Sequence, residues 1–146
     1  MNYTVDITID RPRSEVIELF DNPDNMSKWQ PELVSFEPLS GVPGQPGAKS
    51  KLHYKMDKRD VEMIETITKN NLPDELAATY ETKGVYNVIS NRFEVLNENQ
   101  TKWVSENEFQ FTGFMKVMGI FMKGAFPKQT LKFMNQFKAF AEAEKS

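Results

Sequence analysis

Apolar and polar side chains alternate at the start of the chain, where every second residue from Tyr3 to Ile9 is apolar. A period of two places these side chains on one face of a strand. Pro12 then opens a short helix, which ends before the turn-forming segment Asn22-Pro23-Asp24. A second short helix is predicted around Met26 and Trp29.

The middle of the chain has the pattern of strands joined by short polar turns. Residues 33–39 are predicted to form a strand, and a loop rich in Gly and Pro follows at residues 41–47. From there to Phe111, apolar side chains recur at every second position between turns. Five more strands are therefore predicted, in an antiparallel meander over residues 49–56, 59–69, 75–83, 85–96 and 101–111.

The C-terminal part is predicted to be helical in two segments. The first carries apolar side chains on one side from Phe114 to Met122, and residues 124–127 interrupt it. We expect the second, longer helix to bury an apolar stripe against the concave face of the sheet. On a helical projection this stripe spans about 120° and consists of Phe133, Met134, Phe137, Phe140 and Ala141.

Composition is that of one globular domain over residues 1–146, with 39% hydrophobic and 27% charged residues. Eleven Phe and eight Met suit a cavity of adaptable shape. A formal charge of −3 argues against a nucleic-acid partner. The chain has no cysteine and a single histidine, so we expect no metal site and no cofactor.

The start of the chain has no basic segment followed by an apolar run, so we expect no signal peptide and a cytoplasmic location. No transmembrane segment is expected either, because the apolar run before Pro127 is too short to span a bilayer. The oligomeric state is left open, with a homodimer among the alternatives.

The order of these elements resembles the START-like superfamily, also called the SRPBCC or helix-grip fold, which includes polyketide cyclase and dehydrase-like proteins. The resemblance covers nearly the whole chain. It implies an α+β fold in which a curved antiparallel β-sheet wraps around a long C-terminal α-helix, with two short helices after strand 1 and a ligand between sheet and helix. The segments that carry it are Ile9-Asp10-Arg11-Pro12 through Phe20, Asn22-Pro23-Asp24 with Trp29-Gln30-Pro31, Met63 to Thr68 followed by Leu72-Pro73, and Thr101-Lys102-Trp103.

Alternation along the strands assigns seven polar side chains to the inner face of the sheet. Each costs about 1–3 kcal/mol if buried unpaired, so they need mutual hydrogen bonds, water or the polar end of a ligand. Glu65 has no Lys or Arg on its strand face, so burial would raise its pKa and suit a general base or a hydrogen-bond donor. The alternative for Glu65 is a carboxylate at a wet rim. The seven are Tyr54, Glu65, Tyr80, Asn87, Asn91, Ser105 and Asn107.

The candidate ligand-binding residues combine this polar set with apolar residues of the inner face and the helices. No catalytic residue is assigned, and His53 is expected among solvated side chains on the outer face. The candidates are Trp29, Tyr54, Met63, Glu65, Tyr80, Asn87, Ile89, Asn91, Trp103, Ser105, Asn107, Phe109, Met118, Met122, Phe126, Met134 and Phe137.

Three classes of function follow from this reading. The leading hypothesis is binding or transport of a small hydrophobic molecule that is lipid-like, aromatic or polyketide-like. The first alternative is an enzyme of the cyclase, dehydratase or hydrolase type that uses the same cavity, in which Glu65 or a Tyr and Asn pair would move protons. The second is a protein-interaction module of the co-chaperone or toxin type, which would require a large exposed apolar patch.

The segment from Phe114 to Lys128 carries basic residues and no acidic one. Its glycines at positions 113, 119 and 124 supply flexible joints, which favours a mobile helical cover over the mouth of the cavity. Docking to a membrane surface is the alternative for this segment.

Overall fold

A computed structural model describes residues 1–144, in which seven strands and four α-helices form. Their order along the chain matches the pattern of the sequence, and the boundaries differ from the predicted ones by at most two residues. The strands are β1 (Asn2–Ile9), β2 (Leu33–Ser40), β3 (Lys49–Met56), β4 (Arg59–Asn71), β5 (Glu75–Thr82), β6 (Val85–Asn97) and β7 (Gln100–Phe111). The helices are α1 (Arg13–Phe20), α2 (Met26–Trp29), α3 (Met115–Phe121) and α4 (Ala125–Ala143).

All seven strands belong to one antiparallel sheet in the order β1-β7-β6-β5-β4-β3-β2. The first strand pairs with the last, from Asn2 opposite Glu108 to Ile9 opposite Thr101. The long helix α4 packs against β1 and lies across the inner face of the sheet. The predicted α+β helix-grip fold, with two short helices after strand 1 and one long C-terminal helix, is confirmed.

Local sequence explains where the C-terminal helices begin and end. The chain breaks between α3 and α4 at residues 122–124, and Pro127 falls in the first turn of α4. Proline is tolerated there because the N–H groups of the first turn have no partner within the helix. At the other end, the buried Arg11 donates a hydrogen bond of 2.8 Å to the carbonyl of Ala141 and another to the carbonyl of Glu144. The guanidinium of Arg11 therefore fixes the C-terminal end of α4.

An aromatic core fills one end of the space between the sheet and α4. Phe137 is fully buried there, and its ring meets the rings of Trp29, Trp103 and Phe20 edge to face at 5.2, 5.5 and 5.7 Å. Edge-to-face pairs of this kind are favourable by about 0.5–1.5 kcal/mol each beyond the burial of their area. The core cluster comprises Ile9, Val16, Trp29, Phe93, Trp103, Met134, Phe137 and Ala141. The C-terminal half of α4 therefore packs against a solid core.

Candidate functional site

A cavity of about 290 Å³ lies between the N-terminal half of α4 and the sheet, at the end opposite the aromatic core. Its wall is mainly apolar and aromatic, with the rings of Phe109 and Phe126 4.8 Å apart on one side. Tyr54 and Phe133 meet edge to face at 6.0 Å on the other. The apolar lining residues are Met56, Met63, Val85, Phe109, Phe126 and Phe133.

The strand register explains why these side chains converge. On β6, Val85 and Asn87 share the inner face, and Asn87 lies opposite Tyr80 on β5 and opposite Phe109 on β7. On α4, residues 126, 129, 130 and 133 follow the i, i+3, i+4, i+7 spacing that defines one helix face. The cavity thus lies between the last residues of β3, β5 and β7, the first half of β4, the start of β6 and the N-terminal half of α4.

Most polar groups that line the cavity are already hydrogen-bonded within the protein. The hydroxyl of Tyr80 donates to Glu65 Oε2 at 2.7 Å, and the hydroxyl of Tyr54 donates to Gln30 Oε1 at 2.6 Å. Asn87 Nδ2 donates to Asn107 Oδ1 at 3.3 Å.

Three further lining residues, two on α4 and one on β5, complete the polar part of the wall. Thr130 Oγ1 lies 2.6 Å from the hydroxyl of Tyr3, so it is paired as well. In residues 1–144, the side chains of Thr82 and Gln129 line the cavity without an oxygen or nitrogen partner; Gln129 Nε2 lies 3.8 Å from Met56 Sδ. Thr82 and Gln129 are therefore the lining groups that remain available to the polar atoms of a ligand.

Burial keeps the tyrosines of this region neutral. Loss of hydration raises the pKa of both Tyr54 and Tyr80, and the negative charge of Glu65 adds to this effect. Burial also raises the pKa of Glu65, and the hydrogen bond from Tyr80 offsets part of that rise. The site thus has phenol groups that act as hydrogen-bond donors rather than as acids, beside a carboxyl group that binds its proton more tightly than usual.

Six of the residues predicted from the sequence line this cavity. Tyr54, Tyr80 and Asn87 are the polar ones, and Met63, Phe109 and Phe126 the apolar ones.

The other eleven candidates lie elsewhere. Glu65 lies behind Tyr80 and touches the site only through that hydroxyl. Trp29, Trp103, Met134 and Phe137 point inward as predicted, but they fill the aromatic core. The remaining six candidates outside the lining are Ile89, Asn91, Ser105, Asn107, Met118 and Met122.

Mutual hydrogen bonds account for the inward polar residues of β6 and β7 outside the lining. Trp103 Nε1 donates to Asn91 Oδ1 at 2.9 Å, and Asn107 Nδ2 donates to Ser105 Oγ at 2.9 Å. The sequence left mutual hydrogen bonds, water and a ligand open as partners of these groups, and the structure supports mutual hydrogen bonds. The indole Nε1 of Trp29 is different, because it is buried without a partner among the described residues.

Six of the lining residues are absent from the candidate ligand-binding residues predicted from the sequence. Met56, Val85 and Phe133 share faces with predicted members, so the alternation of the strands and the apolar stripe of α4 contain a signal for them. Gln129 and Thr130 are polar and lie one turn before Phe133, so an apolar stripe alone does not include them. The sixth residue is Thr82, the last residue of β5.

A second cleft, of about 300 Å³, lies between the end of β1 and the end of α4, but it is polar and open. The charged side chains around it include Arg11, Glu15 and Glu142, and Arg11 is engaged in fixing α4. Glu15 is paired with Arg11 and Glu142 with Lys138, so these charged groups of the cleft already have partners within the protein.

Metal binding and membrane spanning have no support in the described part of the chain. No group of three or more His, Cys, Asp or Glu side chains within residues 1–144 is placed to hold a metal ion. His53 Nε2 lies 2.9 Å from Asp60 Oδ1 on the outer face of the sheet, away from the cavity. Over the same residues, no helix has both the length and the apolar character needed to cross a bilayer.

Solved structures of the same fold cover almost the whole chain. An aromatase/cyclase, ZhuI from Streptomyces sp. R1128, aligns with a TM-score of 0.81 at 13% identity over 97% of this chain and 93% of its own. A START superfamily protein from Mycobacterium smegmatis gives 0.81 at 10% identity, over 97% of each chain. The protein TTHA0849 from Thermus thermophilus gives 0.78 at 13% identity over 100% of both. At these identities the similarity establishes the fold alone.

Comparison with curated proteins finds no match. The family model described as "Polyketide cyclase / dehydrase and lipid transport" matches residues 1–139, which is nearly the entire chain. The fold, with its cavity between sheet and C-terminal helix, agrees with the START-like resemblance of the sequence. This chain belongs to the polyketide cyclase / dehydrase and lipid transport family.

Proposed function

We propose that this protein binds a small hydrophobic molecule in the cavity between α4 and the sheet and carries it without converting it. The observation that supports this is the chemistry of the wall. It is apolar and aromatic over most of its area, and most of its polar groups are hydrogen-bonded to protein groups that lie outside the lining. Within residues 1–144, no nucleophile with an adjacent base lines it, because the only titratable lining groups there are the phenols of Tyr54 and Tyr80.

The size of the cavity favours a compact ligand. Cavities for small molecules usually measure about 300–1,000 Å³, so a volume of about 290 Å³ is at the lower end of that range. Such a space suits a compact molecule of up to about three rings, or a short acyl chain, better than an extended lipid. Its polar end would meet Thr82 and Gln129 and could also donate a hydrogen bond to the hydroxyl oxygen of Tyr80.

An enzyme of the cyclase or dehydratase type is the second candidate, and the pair formed by Tyr80 and Glu65 is the observation that favours it. A carboxyl group of raised pKa behind a phenol that lines the cavity resembles an acid–base pair. Two facts weigh against it. Burial makes Tyr80 a poorer acid than free tyrosine, and its proton is already donated to Glu65.

A cavity-filling substitution tests the binding proposal. Val85→Trp places a large ring in the cavity, whereas Val88→Trp places the same ring on the opposite face of the same strand, because alternate residues of a strand point to opposite faces. The probe is N-phenyl-1-naphthylamine, whose fluorescence rises in apolar surroundings. We expect Val85→Trp to raise the Kd of the probe about tenfold or more and Val88→Trp to leave it within about twofold. Equal binding by both variants would contradict a ligand site in this cavity.

Native mass spectrometry of the purified protein and a turnover assay separate carrier from enzyme. A carrier is expected to retain a small hydrophobic molecule of unchanged mass, which the Val85→Trp variant loses. If the protein instead converts candidate polyketide chains, and Glu65→Gln lowers that turnover without changing the Kd of the probe, the enzymatic candidate is correct and the carrier proposal is wrong.

A further inference from the structure

The helix α3 presents its large apolar side chains to solvent. Phe114, Val117, Ile120 and Phe121 are 75%, 51%, 75% and 81% exposed. On a helical projection these four positions fall within about 120° of one another, so they form one continuous face. A face of two phenylalanines and two β-branched residues in water is costly and indicates a binding surface. We call these four residues the α3 face.

Close packing fixes the opposite side of α3. A Cβ atom on Gly119 would lie 2.9 Å from the ring of Phe111, so the helix backbone lies directly on that ring. Met115 packs against Gly84 in the β5–β6 turn, where an added Cβ would lie 2.7 Å from Met115 Cγ. Because α3 is anchored on this side, the exposure of the α3 face follows from how the helix is docked. The sequence grouped Met115, Met118 and Met122 with the α3 face on a single apolar side, but the structure divides them between two faces.

The surroundings of the α3 face are basic. Between Phe109 and Ala141 the chain has five lysines and no acidic residue, although its formal charge is −3. Lys132 and Lys138 are paired with glutamates from outside this segment, which leaves three lysines without an ion pair among residues 1–144. Lys116 and Lys123 border the α3 face, and Lys128 follows in the first turns of α4. The turns at the same end of the sheet add Lys58 and Lys83, against one acidic residue, Asp57.

We propose that the α3 face docks onto an anionic lipid bilayer. Apolar side chains on one helix face with lysines alongside are the features of a helix that lies in the membrane interface, where the lysines meet anionic headgroups. An acidic membrane surface also complements the positive charge of this end of the molecule. No residue of α3 lines the cavity, so this surface is distinct from the ligand site.

The α3 face lies next to the cavity, so docking would affect how a ligand enters or leaves it. The connection that contains α3 joins the end of β7 to the start of α4, and both ends contribute to the cavity wall through Phe109 and Phe126. Docking through α3 would bring the mouth of the cavity to the bilayer, so that a hydrophobic molecule could pass between the two without crossing water. This last step rests on the proposed function, whereas the docking itself does not.

Vesicle co-sedimentation tests the docking. The probes are vesicles of phosphatidylcholine alone and vesicles in which about one third of the lipid is phosphatidylserine. We expect binding to the second kind only, lowered about tenfold or more by Phe121→Glu. We expect the double substitution Lys116→Gln and Lys123→Gln to weaken it by roughly fivefold per lysine. The matched control is Val42→Glu, which changes a 67% exposed residue in the β2–β3 loop at the opposite end of the sheet and should leave binding unchanged.

Three outcomes would overturn the docking proposal. They are absence of binding by the unmodified protein, equal binding to both kinds of vesicle, and equal binding by Phe121→Glu. If the protein is instead a dimer that Phe121→Glu dissociates and no vesicle binding occurs, the α3 face is covered by a second copy. The docking proposal and the ligand proposal can fail separately. Phe121→Glu should lose vesicle binding but retain the Kd for N-phenyl-1-naphthylamine measured without vesicles.

Discussion

Replacing Glu65 with Gln should remove a pH-dependent part of the free energy of unfolding. Burial raises the pKa of Glu65 in the folded protein above its ordinary value of 4.5, and unfolding releases the carboxyl group to water. Between these two pKa values the folded state binds more protons than the unfolded state. The contribution of Glu65 is therefore fully present below the unfolded pKa and is lost as the pH rises through the folded pKa.

The hydrogen bond from Tyr80 opposes this effect of burial. Above the folded pKa of Glu65, the phenol donates to a carboxylate at 2.7 Å. A bond of that kind contributes about 1.5–3 kcal/mol, whereas the bond to a neutral carboxyl group contributes about 0.5–1.5 kcal/mol. Tyr80→Phe should therefore cost more stability at high pH than at low pH. It should also raise the pKa of Glu65 further, because the interaction that offsets the effect of burial is gone.

Urea denaturation at a series of values from about pH 4 to 8 measures both effects. The quantity to compare is the difference between the unmodified protein and each variant, because other titrating groups then cancel. The groups that cancel include Glu32 and Glu75, whose pKa values are lowered by hydrogen bonds and neighbouring lysines, and Asp21, whose pKa is raised by burial. A difference for Glu65→Gln that does not change with pH would refute the reasoning, as would a Tyr80→Phe cost that falls as the pH rises.

Three substitutions outside the cavity test the fold. Phe137→Ala should lower the free energy of unfolding by about 3–5 kcal/mol, because its fully buried ring is at the centre of the aromatic core; a loss near zero in urea denaturation would contradict that packing. Asn91→Ala should cost about 1–3 kcal/mol by leaving Trp103 Nε1 without its acceptor, a change that thermal unfolding should detect. Gly84→Ala should destabilise more than Gly44→Ala: both have φ near +80°, but only at residue 84 would the new Cβ lie 2.7 Å from a side chain of α3. Equal melting temperatures for these two variants would show that the contact is unimportant.

Most of the fold could be predicted because the sequence alternates cleanly. Residues 2–9 and 49–111 follow a period of two with turn residues between the strands, so the strand order and nearly all boundaries follow from local pattern. The stripe of α4 was equally clear, and Phe137 lies at its centre. Location in the cytoplasm stays a prediction.

The cavity was harder to predict because it depends on where the core ends. Alternation shows that Trp103 and Phe109 share a face of β7. It does not show that Phe137 fills the space beside Trp103, whereas the space beside Phe109 stays open. The partners of the inward polar groups depend on cross-strand register and on distant elements. Tyr54, for example, donates to Gln30, a buried residue after α2 that no periodic pattern marks.

The pairing of β1 with β7 has a consequence for how the protein is made. During synthesis β1 emerges first, yet its partner residues 101–108 follow almost a hundred residues later. Contacts between segments so far apart in the sequence form slowly, because a long loop must close first. The nascent chain therefore presents β1 unpaired, with its apolar face uncovered, until β7 has left the ribosome. A chaperone that shields residues 2–9 in that interval should raise the yield of folded protein.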